Sequence, residues 1–140
     1  MTAAPGRWRA IVFDFDGTLA SLNIDFVAMR KSILGLLEAY RIPATGMEHL
    51  HILEMIDAAG AILAQRRSGE TTRFRDDALA LVTRQEIGAA REGALFAGTK
   101  RLLTELGSRF IRTGVITRNC RAALSRIFPD IHRFCEVVLT

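Results

Sequence analysis

At 140 residues, with 49% hydrophobic and 24% charged residues, the chain has one domain's worth of sequence and a composition that excludes intrinsic disorder. No apolar run approaches the roughly 18 residues of a membrane span. Residues 1–9 hold arginines without an apolar stretch of signal-peptide type, so the expected compartment is the cytoplasm, with no membrane partner. The net charge of +4 is uneven: residues 23–95 carry 9 Lys/Arg against 10 Asp/Glu, which leaves +5 on the flanking segments. That excess suits a small anionic substrate. With no Lys/Arg-rich run, no zinc signature and little aromatic interleaving, nucleic acid is not an expected partner.

In chain order, the first element is a short apolar run, Ala10 to Phe13, that reads as a buried strand and stops at Asp14. Asp16 follows at the next position but one, then Gly17-Thr18 breaks the strand. Strand residues alternate faces, so Asp14 and Asp16 point the same way unless the chain turns between them. Paired acids at a strand end are costly unless a cation or a shared proton relieves them, and such a place suits Mg²⁺ and a phosphorylated ligand. A solvated turn after a core strand is the plainer alternative.

Helical periodicity then begins. Phe26, Met29, Ile33, Leu36, Leu37 and Tyr40 form one apolar face, with Asp25 as N-cap and Pro43 beyond its end. Thr45 and Glu48 form a capping-box pattern that predicts a second helix through Leu50, Leu53, Ile56 and Leu63, broken at Ser68-Gly69. Arg66-Arg67 reads as a solvated pair beside that break. A third helix is expected from about Thr72 to Arg91, so the block carries no strand signal.

From Phe96 the pattern changes. A helix with Leu102, Leu103 and Leu106 ends at Gly107 as its C′ residue. A strand from about Phe110 to Ile116 follows, and Thr117-Arg118-Asn119 stand at its end. A helix from Cys120 to Phe128, with Asn119 as N-cap, stops at Pro129, and Cys135 to Leu139 reads as a third strand. The alternation predicts an α/β fold with a parallel sheet and right-handed crossovers, and ligands at the carboxyl ends of its strands. Cys120 and Cys135 read as buried thiols, and the three histidines form no metal-ligand spacing with them.

The stretch Ala-Ile-Val-Phe-Asp-Phe-Asp-Gly-Thr-Leu-Ala-Ser, residues 10–21, resembles the first motif of the haloacid dehalogenase-like hydrolase superfamily, an apolar strand followed by D-x-D-G-T-L. Gly114-Val115-Ile116-Thr117 resembles the second, an apolar strand ending in a hydroxyl residue. The resemblance implies a three-layer, Rossmann-like parallel-sheet core and phosphomonoester hydrolysis through an aspartyl-phosphate. Asp14 would be the nucleophile and Asp16 the acid and base. The Asp14 carboxylate and the Asp16 carbonyl would hold Mg²⁺, Thr117 would bind the phosphoryl oxygens, and backbone N–H groups around Arg118 and Asn119 would add donors. An acid at position 16 favours phosphoryl transfer over carbon–halogen chemistry, with a phosphosugar mutase as a near alternative on the same chemistry.

The helical block between the motifs matches the cap of the phosphoglycolate phosphatase-like subgroup. The expected division is a core of residues 1–22 and 96–140 around a cap of residues 23–95. The superfamily's third-motif Lys or Arg and fourth-motif acids have no counterpart before Thr140. Lys31 lies in the helical block and Lys100 precedes the second motif. The resemblance therefore leaves two expectations open: an incomplete phosphatase acting on a small phosphorylated substrate, or a binding module of the same fold that does not catalyse. It also leaves strand Ala10–Phe13 as an exposed edge, so that the chain is expected either to self-associate through it or to be a portion of a longer polypeptide whose later strands cover it.

Overall fold

The computed structural model describes residues 8–66 and 69–140; the expected helix break at Ser68 and the side chain of Arg67 lie outside these residues. In chain order the elements are β1 (Ala10–Asp14), β2 (Ala20–Ser21), α1 (Phe26–Ala39), α2 (Ile52–Arg66), α3 (Thr71–Ala89), β3 (Ala94–Leu95), α4 (Thr99–Ser108), β4 (Arg112–Ile116), α5 (Arg121–Ile127) and β5 (Val137–Leu139), with a 3₁₀ turn at Ile131–Arg133. The chain divides into two compact units, residues 24–85 and residues 1–23 with 86–140. The sequence places the return to the second of these at residue 96. The structure moves it back to Glu86, which is bonded to the loop before α5, and Ala94 and Leu95 beyond it pair with β2.

The helical unit is built on the face that periodicity marks. Met29, Ile33 and Leu37 recur every four residues along α1 and are all buried. They share a core with Met55 and Leu63 of α2 and Phe74 of α3. Asp25 caps α1, its carboxylate accepting the Ala28 N–H at 2.8 Å. The capping box at Thr45 and Glu48 does not form, and α2 starts only at Ile52. The Arg30 guanidinium takes the carbonyls of Met47, Glu48 and Leu50 at 2.7–2.8 Å, so the backbone there closes around a side chain instead of winding into a helix. Glu54 supplies the start signal, accepting the His51 N–H at 2.8 Å.

In the other unit, β1, β4 and β5 form a parallel sheet in the order β1-β4-β5, with Asp14 opposite Ile116 and Ile116 opposite Leu139. Both crossovers step in the same direction along the sheet, and right-handed crossovers then put α4 and α5 on the same face. Burial agrees: Val115 is buried, whereas Val12, Ile116, Val137 and Leu139, on the opposite face, are 52–67% exposed. Strand β1 has a strand neighbour on one side only among the described residues.

Two local readings change. Gly107 lies inside α4, and Phe110 holds the left-handed conformation that ends it, with φ of 58°. Asn119 is not the N-cap of α5; Cys120 occupies that position and its side chain makes no capping bond. A two-stranded antiparallel ribbon, β2 with β3, joins the two ends of the unit's discontinuous chain. Its strands are too short to carry a periodic signal.

Gly93, just before this ribbon, has no room for a side chain. A Cβ there would lie 2.6 Å from Ile127 Cδ1 and 2.9 Å from the Ser21 carbonyl oxygen. Gly35, inside α1, faces open space. We expect Gly93→Ala to destabilise by about 1–3 kcal/mol, as overpacking does. Gly35→Ala should stabilise by about 0.5–1 kcal/mol through helix propensity. Urea denaturation of the two variants beside the parent chain checks both signs.

Candidate active site

The strand end that carries the acids is folded by its own backbone. After Asp14 the chain turns tightly: the Phe15 carbonyl accepts N–H groups from Leu19 and Ala20 at 3.0 Å, and Gly17 N–H returns to the Ala20 carbonyl at 2.8 Å. The turn needs φ of +76° at residue 17, where glycine is unstrained. Phe15 points into the core with no exposed surface, and this anchors the segment between the two acids. The loop is also held from outside. The Leu19 carbonyl accepts both the Phe96 N–H at 3.0 Å and the buried Thr99 hydroxyl at 2.8 Å.

Each acid has a defined hydrogen bond. Asp14 Oδ1 accepts the N–H of Phe15 at 2.8 Å, and Asp16 Oδ1 accepts that of Leu22 at 3.0 Å. Burial pushes the Asp16 carboxyl above the usual carboxylate range, and the negative charge of Asp14 adds to the rise. The Leu22 N–H opposes it. The two acids are thus close enough to repel.

Register brings the second segment to the same end of the sheet. Asp14 pairs with Ile116, so Thr117 is the first residue past β4 beside the point where β1 stops. Its N–H donates to the Leu139 carbonyl at 2.9 Å, and its hydroxyl accepts the Asn119 N–H at 3.2 Å. Thr117 and Asn119 are buried and Arg118 is exposed. The Cys120 N–H next in line is taken by Glu86, at 2.7 Å. Glu86 is a buried acid on α3 that carries no motif, and only its place four residues after Val82, in line with the buried Phe74 and Ala78, signals it. Lys100 is bonded to both oxygens of Asp130 at 2.8 Å.

Asp14, Asp16 and Thr117 therefore share the carboxyl ends of adjacent parallel strands, where α/β sheets bind ligands. Among the described residues no three His, Cys, Asp or Glu side chains are grouped to hold a metal, and no helix is long and apolar enough to cross a membrane. Two cavities lie away from this strand end. One of about 380 Å³ is within the helical unit beside Arg30 and Thr45, and one of about 220 Å³ is at the opposite end of the sheet beside Arg112 and His132. The strand-end chemistry, not cavity size, marks the candidate site.

A family model described as haloacid dehalogenase-like hydrolase matches residues 8–140. The chain belongs to the haloacid dehalogenase-like hydrolases. A haloacid dehalogenase-like hydrolase domain-containing protein of Arabidopsis thaliana is 32% identical over 139 residues, covering 99% of this chain and 51% of its own length. Among solved structures, a predicted phosphoglycolate phosphatase from Haemophilus somnus aligns with TM-score 0.53 at 18% identity, covering 94% of this chain and 62% of that one. A protein from Bacteroides fragilis named as a haloacid dehalogenase-like hydrolase aligns with TM-score 0.52 at 20% identity, covering 95% and 63%. At such identities the likeness is one of fold. The chain spans about half the length of the curated relative and less than two-thirds of these structures.

The environment of Asp16 has a consequence for stability in this hydrolase fold. Below the ordinary carboxylate range Asp16 is protonated in folded and unfolded chains alike, and its stabilising contribution is fully present. As pH rises through the raised native value, the folded chain must ionise a half-buried acid beside Asp14, and that contribution is lost. Asp16→Asn keeps an oxygen for the Leu22 N–H without the charge. We expect its thermal midpoint to exceed the parent's at pH 7, and the difference to vanish below about pH 3.9. Melting curves across pH check the trend.

Proposed function

We propose that this hydrolase cleaves small phosphomonoesters through an aspartyl-phosphate. The observation that carries the reading is the register that sets Thr117 beside the strand end of Asp14 and Asp16. Asp14 Oδ1 accepts the Phe15 N–H, and Oδ2 is assigned the attack on phosphorus. As the new P–O bond forms, the bond to the leaving alcohol breaks, and the Asp16 carboxyl passes its proton to that oxygen. The resulting Asp16 carboxylate then takes a proton from water. This water attacks phosphorus, breaks the bond to Asp14 and releases phosphate. A carboxyl raised above its usual range suits the acid half of this cycle. The Thr117 hydroxyl and the Arg118 N–H are assigned to the phosphoryl oxygens, while the Asn119 N–H, donated to the Thr117 oxygen, orients that hydroxyl.

The donors at the strand end fit Mg²⁺ in kind. A carboxylate and a main-chain carbonyl are the hard oxygens it prefers, and Mg²⁺ is commonly held by one or two carboxylates with water and substrate phosphate completing the shell. The repulsion between the two acids is what a cation would relieve. The Asp14 carboxylate and the Asp16 carbonyl would hold it, and when bound it supplies neutralisation of phosphoryl charge.

With p-nitrophenyl phosphate and added Mg²⁺ we expect turnover that Asp14→Asn abolishes and that chelation removes. Thr117→Ala should lower kcat/KM on the order of 10²-fold, as loss of one oxyanion donor does. Retained turnover in Asp14→Asn would take the nucleophile's role away from Asp14.

A second reading is favoured by β1, which has a strand neighbour on one side only among the described residues, and by the exposed Val12, Ile116, Val137 and Leu139: the chain acts as an interaction module that pairs with another copy of itself. Size exclusion across a concentration series tests it. Association that Val12→Lys reverses supports this reading, and a monomer at all concentrations removes it.

A further inference from the structure

Among the described residues Glu86 is the only buried carboxylate, 6% exposed. A buried carboxylate is expensive unless hydrogen bonds hold it. The Oε2 of Glu86 accepts the Cys120 N–H at 2.7 Å, across 34 residues of sequence. That N–H opens α5, whose N-cap side chain supplies no bond of its own. The acid also lies beside the Cys120 thiol, which burial first, and then Glu86, pushes upward. At the other end of the same segment the Thr117 N–H is fixed to the Leu139 carbonyl, and inside it the Asn119 N–H is bonded to the Thr117 hydroxyl.

From this we infer that Glu86 is a positioning residue: it clamps the far end of the Thr117–Asn119 segment so that the Thr117 hydroxyl and the Arg118 N–H keep the spacing that a phosphoryl group requires. The inference rests on the phosphatase reading above. Residues 117–120 are bonded to the sheet at Leu139 and to α3 at Glu86, while the Cys120 carbonyl accepts the Leu124 N–H of α5 at 3.1 Å. Without the Glu86 bond the Cys120 N–H loses its partner, and the two residues between Thr117 and Cys120 are held at their far end only through the first turn of α5. Misplacement of about 1 Å is enough to lower a rate on the order of 10²-fold. Distance along the chain explains why no motif includes Glu86, which reaches the segment from the end of α3.

The test compares Glu86→Gln with Glu86→Leu on the 140-residue chain. Gln keeps an acceptor oxygen for the Cys120 N–H, and Leu has none. We expect Glu86→Leu to lower kcat/KM for p-nitrophenyl phosphate on the order of 10–100-fold and to weaken inhibition by inorganic phosphate in parallel. Glu86→Gln should restore both to within a few-fold of the parent. Circular dichroism at the assay temperature shows whether each variant is folded. Amide exchange at Cys120 reports the bond itself, and it should quicken in the Leu variant only. Parent-level kcat/KM and phosphate inhibition in a folded Glu86→Leu chain overturn the inference while leaving the phosphatase reading in place. Failure of Gln to rescue overturns it as well. A parent chain that neither binds phosphate nor turns over the ester overturns the reading and this inference together.

Discussion

The parallel pairing of β1 with β4 is the constraint on which the rest of this hydrolase unit depends. It joins segments about a hundred residues apart and puts the two acids and Thr117 at one end of one sheet. Parallel strands cannot be joined by a tight turn, so the connection must be long, and here it has room for an entire helical unit. A slip of one residue would reverse the faces of β1. Ile11 and Phe13 would lose their half-buried positions, and Asp14 would turn toward the covered side. The apolar pattern of the strand therefore fixes the geometry of the acids as well as the packing.

What could be read from the sequence follows how local its cause is. The strand end at Asp14, the apolar face of α1 and the Asp25 cap all arise from residues within a few positions of each other. Where distant residues intervene, local signals lose. The pattern at Thr45 and Glu48 is a sound helix start, yet Arg30 on another helix captures three carbonyls of that segment. Asn119 has the side chain of an N-cap, yet its N–H is bonded to Thr117 and the helix opens one residue later under an acid from α3. Gly107 has the permissive backbone expected of a helix end, yet Phe110 adopts the left-handed turn, and Ile111 closes it by donating to the Leu106 carbonyl.

The candidate site divides the same way. Asp14, Asp16 and Thr117 announce themselves because chemistry and strand ends coincide in short motifs. Their supports do not. Thr99 holds the acid-bearing loop through the Leu19 carbonyl, and Glu86 holds the segment after β4, and each acts on a backbone atom. A bond to a backbone atom places no demand on the partner's side chain, so it leaves no paired pattern in the sequence. The supports of such a site emerge only when the fold is drawn.

The discontinuous make-up of the sheet unit also bears on the order in which the polypeptide acquires structure. The helical unit is one uninterrupted stretch, residues 24–85, and its contacts are complete once that stretch has emerged. Strand β1 is made before that stretch and, among the described residues, waits for its strand partner until β4 follows. At synthesis rates of about 5–20 residues per second, roughly a hundred residues of delay leave β1 unpaired for some 5–20 s. Non-local parallel pairing is also intrinsically slow to form. The stretch Ile11-Val12-Phe13 is apolar and uncharged throughout this interval, so the newborn chain is open to misassociation at this strand.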